Sequence, residues 1–113
     1  ITRTSGTPLA TAWVLAHEAG HVLQVAYSKR YPVPVFQELS ADCLSGYFLG
    51  KLDCEEVGSI SDYLSTLLIV CDAGGTSAFF DPIGHGSCRE RVYAVLFGMD
   101  SYQKGIRPFD ACM

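Results

Sequence analysis

Basic residues are scarce in this chain. Its 113 residues hold 8 Lys and Arg against 12 Asp and Glu, a net charge of −4. Phosphate backbones need a basic surface, so nucleic-acid binding is excluded as an expectation. Long apolar runs are missing too. The strongest, "LSTLLIVC" (64–71) and "VYAVLFGM" (92–99), are far too short to cross a bilayer. No CxxC pair occurs among the 5 cysteines, which argues against a cysteine-rich zinc site. Repeats, low-complexity tracts and linkers are absent, and strand signals are weak throughout. The sequence begins at Ile1 without a signal-peptide pattern, and is expected to be a mature or excised piece of something longer.

What is present is enough apolar material for a core, at 49% of residues. The length fits one small domain, residues 1–113. Four helices are expected. Thr7 and Pro8 read as an N-cap and first helical position, opening a helix to about residue 27. "YPVPV" (31–35) breaks it, and Pro34 opens a second helix over 35–52. A third covers about 60–73. "SCRE" (87–90) is a capping box for a last helix ending near Gly98. The stretch "GTSAFFDPIGHG" (75–86) reads as a long loop, of the kind that often carries function.

The five cysteines, Cys43, Cys54, Cys71, Cys88 and Cys112, leave two readings open. They are small buried hydrophobes, or they form up to two disulfides with one thiol over, in an extracytoplasmic (periplasmic or secreted) compartment.

Histidine is rare, with three in the chain, and two of them fall in "HEAGH" (17–21). On a helix His17 and His21 lie about 40° apart and about one turn along, so both rings reach one ion. Glu18 sits about 60° around from His21, close to the ion but aimed beside it. This is the HExxH arrangement, two metal ligands and a general base for an activated water. The plainer reading is two satisfied histidines in a half-buried helix. A third ligand is needed. The metzincin pattern would put Gly at 24 and His at 27, but Gln24 and Tyr27 stand there. In "ELSAD" (38–42), Glu38 and Asp42 share a helix face. Glu38 is the candidate ligand, and Asp42 would hold a ligand histidine by its other nitrogen. A solvated helix face is the alternative, weakened by Phe36, Leu39, Ala41, Leu44 and Phe48, which read as core. For Glu38 to return to His21, the first helix must stop by about residue 28.

"VLAHEAGHVLQ" followed by "ELSADCLSG" resembles the neutral zinc metallopeptidase family of bacteria, a gluzincin-like group with an HExxH helix and an E-L-x-A-D-C helix. Family members also show an "HGS" before an arginine-bearing helix, here "HGSCRERVYAVLFG" (85–98). The match spans most of residues 10–98. The resemblance implies the mainly α, helical catalytic part of a zincin metallopeptidase. It implies Zn2+ held by His17, His21 and Glu38, Glu18 as the catalytic residue, Asp42 behind a ligand, and a peptide or protein substrate. The family carries a substantial segment, generally a substrate-holding sheet, before the HExxH helix. Only sixteen residues precede His17 here. A short or partial domain is expected, with a missing N-terminal segment or a partner chain completing it.

His85 is either an electrophile steadying an oxyanion or a loop histidine that caps a helix. Arg91 pairs with Asp42 or with carboxylates of its own helix, or is solvated. Gly20 is expected to allow close packing on the second helix. Trp13 and Tyr47 read as core, and Cys43 as buried or disulfide-bonded. The expected activity is zinc-dependent peptide-bond hydrolysis. The rival is a catalytically silent, zinc-bound or metal-free helical binding module. A hydrolase acting on a non-peptide amide is the third reading.

Overall fold

The computed structural model describes residues 8–32, 34–56, 58–73 and 87–113. Among these, five helices and no strand occur: α1 (Pro8–Ala26), α2 (Pro34–Cys54), α3 (Ile60–Ala73), α4 (Cys88–Gln103) and α5 (Pro108–Cys112). The first four match the expected order. Thr7, the 75–86 loop and His85 lie outside the described residues.

α1 buries one stripe, Leu9, Trp13, His17, Gly20 and Gln24. The spacing of 4, 4, 3 and 4 is that of a single helical face. Two of these core-stripe positions are polar, and both belong to the site described below. The opposite side of α1 is open, with Leu15, Val22 and Val25 strongly exposed, Val25 at 77%. The apolar flanks of "HEAGH" therefore do not all enter a core. α1 packs on α2 and, less extensively, α3, so only one side of it is covered.

α1 ends where the site requires. Ser28 adopts the left-handed conformation (φ 55°). Its N–H donates to Val25 O at 3.1 Å, and Lys29 N–H donates to Gln24 O at 2.8 Å. This is a Schellman turn, which satisfies terminal carbonyls and reverses the chain.

α2 is the central element, with α4 its most extensive partner. Their crossing is unusually close. A Cβ added at Gly46 would collide with the Val95 carbonyl, and one at Gly98 with the Cys43 carbonyl. Gly98 thus serves an interhelical contact and does not end the helix. α4 continues to Gln103, five residues beyond the expected stop. Gly20 does the same on α1, where a Cβ would sit 3.2 Å from Ala41 Cα. The capping box forms in full: Ser87 Oγ accepts from Glu90 N–H, and Glu90 Oε1 accepts from Ser87 N–H.

The apolar core joins Leu9 and Trp13 of α1, Leu49 of α2, Val70 of α3 and Val95 of α4. Phe36 and Phe48, expected in it, are exposed, whereas Ala41 and Leu44 are buried. Tyr47 is half-buried and donates its hydroxyl to Ile106 O at 2.7 Å.

Two disulfides form, Cys43–Cys112 and Cys71–Cys88, and Cys54 is free and exposed. The second joins the last turn of α3 to the start of α4. The first ties α5, which buries no residue of its own, to the middle of α2. Ser40 Oγ reinforces that tether by donating to Cys112 O at 2.8 Å. α5 was not foreseen, because five residues carry too little periodicity to register. No helix among the described residues is long and apolar enough to cross a membrane.

Candidate metal centre

The stripe of α1 carrying His17, Gly20 and Gln24 faces the stretch of α2 that carries Glu38, Ala41 and Asp42. Gly20 lets the two helix backbones close on each other at Ala41, so side chains on either side of that contact meet. His17 Nε2 lies 3.1 Å from Glu38 Oε1. His21 Nε2 lies 3.3 Å from Glu38 Oε2 and 3.2 Å from His17 Nε2. Ligand atoms of His17, His21 and Glu38 all fall within 4.8 Å of one another, so the three could hold a metal ion.

The groups behind the two rings decide what faces inward. His17 Nδ1 lies 2.9 Å from Asp42 Oδ1. A carboxylate oxygen only accepts, so Nδ1 carries the proton and donates. His21 Nδ1 lies 2.9 Å from Gln24 Oε1, while Gln24 Nε2 donates to Gln37 O at 2.9 Å. With the amide nitrogen committed to Gln37, the amide oxygen must accept from His21 Nδ1–H. Both rings therefore turn Nε2 toward Glu38. Two imidazole lone pairs and a carboxylate converging at about 3 Å repel one another unless a cation sits among them. Without a metal that cation is a proton. Burial alone would lower the His17 pKa, but the hydrogen bonds to Asp42 and Glu38 outweigh it and raise the pKa to about 9. A divalent metal is the other candidate, and two imidazoles with one carboxylate is a donor set suited to a borderline ion.

Asp42 is fully buried. It accepts from Arg91 Nε at 2.7 Å and Nη2 at 2.8 Å, a bidentate pair across α2 and α4. The Arg91 guanidinium also lies 5.5 Å from the centre of the Trp13 ring, within cation–π range. Of the readings left open for Arg91, the buried pair with Asp42 is the one the structure shows. The chain Arg91–Asp42–His17–Glu38 thus runs from the buried interior to the edge of the cluster.

The cluster is not sealed. The side chains of His21 and Glu38 are 22% and 18% exposed, against 9% for His17. Glu18 is exposed on α1, one residue beyond His17. Solvent therefore touches the side chains of His21 and Glu38, and Glu18 lies about 60° around the helix from His21.

Sequence reasoning brought together His17, His21, Glu38 and Asp42, and the structure places all four in contact. It missed Gln24, considered only as a position lacking a metzincin glycine. Its spacing of four from Gly20 and three from His21, on the helix face that carries His17, is the signal that could have found it. Cys43 follows Asp42 but is engaged in its disulfide, away from the cluster.

No protein-family model matches this chain, and no curated protein and no solved structure matches it. Its chemistry is read from the side chains themselves.

Proposed function

We propose that this chain is the helical catalytic part of a zinc metallopeptidase, similar to the neutral zinc metallopeptidases of bacteria, with His17, His21 and Glu38 as the zinc ligands. The observation that carries the reading is the partly open cluster of two Nε2 atoms and one carboxylate, each ring held from behind by a buried acceptor. A purely structural zinc site takes four protein ligands and is closed, whereas a catalytic one keeps three and stays open to water. Zinc supplies Lewis acidity there, lowering the pKa of a water and polarising a carbonyl.

The residues of the chain do the rest. Asp42 and Gln24 orient the two rings and fix their tautomers. Arg91 holds the buried Asp42 carboxylate in place behind His17 through two hydrogen bonds. Glu18, at the solvent edge, takes a proton from the attacking water and returns it to the leaving amine. A peptide or protein is the substrate. The two disulfides support an oxidising, extracytoplasmic location.

One observation favours a second reading, a catalytically silent helical binding module. The exposed apolar side of α1, Leu15, Val22 and Val25, would suit a packing partner better than water.

A peptide-library digest of wild type and Glu18→Gln, with zinc measured alongside, separates the two. Cleavage by wild type, lost by roughly 10²-fold or more in a zinc-replete Glu18→Gln, supports the peptidase. An inert wild type with full zinc supports the binding module.

A further inference from the structure

We propose that Gln24 is a positioning residue that locks His21 as its Nδ1–H tautomer, so that Nε2 is free for the metal. The proposal rests on the metal-site reading above but has a readout that does not require metal. Gln24 is 1% exposed, and both ends of its amide are engaged. Oε1 accepts from His21 Nδ1–H at 2.9 Å, and Nε2 donates to Gln37 O at 2.9 Å. Gln37 directly precedes Glu38, so one side chain fixes a ligand on α1 and the backbone next to the ligand on α2. The Gln24 main-chain carbonyl meanwhile accepts from Lys29 N–H in the turn that ends α1. Gln24 thus stands where the helix stops, the chain reverses and the site is set.

The commitment of the amide is what makes the lock one-sided. A free glutamine turns over and offers either its oxygen or its nitrogen to a histidine. Here the Gln37 carbonyl accepts only from N–H, so the amide nitrogen is pinned to it and the oxygen to His21. The opposite tautomer of His21 would put a proton on Nε2, inside the cluster, and leave Nδ1 and Gln24 Oε1 as two facing acceptors. That arrangement loses the hydrogen bond at Nδ1, and for metal binding it blocks a ligand atom with a proton. Asp42 performs the corresponding task for His17 with a charge. Gln24 performs it without one, so the two ligand histidines are held by unlike means.

The test uses the full chain and two substitutions. Gln24→Met has nearly the same shape and no hydrogen-bonding group. Gln24→Glu keeps an oxygen that accepts from His21 Nδ1–H in either protonation state. Ring ¹⁵N NMR of His21 is recorded on chelator-treated protein, and zinc affinity is measured by competition with a chromophoric chelator. Helical circular dichroism checks that each variant folds.

In wild type, His21 should show the Nδ1–H pattern without metal. Gln24→Met should lose it and bind zinc roughly 10- to 100-fold more weakly, the scale for removing a partner behind a ligand histidine. Gln24→Glu should recover most of the affinity and the Nδ1–H pattern. An unchanged tautomer and affinity in Gln24→Met overturns the proposal. So does equal weakening in both folded variants, which would assign the effect to the tie to Gln37. If wild type binds no zinc, the metal reading fails on its own, and the His21 tautomer still decides whether Gln24 sets it.

Discussion

Asp42→Asn removes one charge from the interior and tests how the site is built into the fold. Asp42 is fully buried and takes two hydrogen bonds from Arg91, itself 3% exposed. The substitution keeps an oxygen for His17 Nδ1–H but leaves the Arg91 guanidinium without its counter-charge and facing amide hydrogens. Breaking a buried pair from one side costs about 3–5 kcal/mol. A domain of this size has roughly 5–15 kcal/mol of stability in all. At about 4–5 °C per kcal/mol, the melting temperature should fall by about 12–25 °C. Arg91→Met should cost less, about 1–3 kcal/mol, because Asp42 keeps His17 as a cationic partner when His17 holds its proton. The double variant should recover part of the Asp42→Asn loss, since an apolar replacement strands no charge. Thermal unfolding of the chelator-treated proteins, followed by circular dichroism, gives all three values. An Asp42→Asn protein melting within about 3 °C of wild type would refute the reasoning, as would a larger loss for Arg91→Met.

Gly98→Ala should destabilise by about 3 kcal/mol or more, because its methyl meets the Cys43 carbonyl of α2 and backbone must shift; denaturant unfolding measures it, and a loss under about 1 kcal/mol would contradict the close crossing. His17, with its pKa raised to about 9, is mostly protonated at pH 7 in the metal-free chain, so metal binding should release close to one proton from it and tighten by roughly tenfold per pH unit up to about 9. The metal-free fold has the opposite dependence: holding that proton more tightly than the unfolded chain does, it has the full benefit below about pH 6.5 and loses it as the pH rises through about 9. Titration calorimetry in buffers of different ionisation enthalpy counts the proton, and chelated melts against pH check the second trend. Glu38→Gln should lose most of the zinc and melt lower in zinc-containing buffer, since ligand binding adds to stability; an unchanged zinc content would remove Glu38 from the ligand set. Intact mass with and without reductant should show two disulfides, and alkylation without reductant should label Cys54 alone.

The helices were legible because their signals are local. Pro8 and Pro34 start α1 and α2, and Ser87 with Glu90 caps α4. The cluster of His17, His21, Glu38 and Asp42 was legible because two i, i+4 pairs on consecutive helices leave few ways to meet. What stayed hidden depends on partners distant in sequence. Gly98 looks like a helix stop until Cys43, on another helix, is seen against it. Gln24 looks like surface until Gln37 and His21 engage both ends of its amide. Phe36 and Phe48 read as core because periodicity marks an apolar face without saying whether anything covers it. The pairing of Cys43 with Cys112 joins residues 69 apart, and connectivity of that range has no local signal.

The central claim is tested most directly by locating the ion. Crystals of the zinc-loaded protein, with diffraction recorded on both sides of the zinc absorption edge, give the metal position independently of any ligand assumption. The expected result is one zinc within about 2.0–2.2 Å of His17 Nε2, His21 Nε2 and a Glu38 carboxylate oxygen, with at least one position open to solvent beside Glu18. An ion held by other side chains, a closed shell of four protein ligands, or no anomalous signal at this cluster would contradict it.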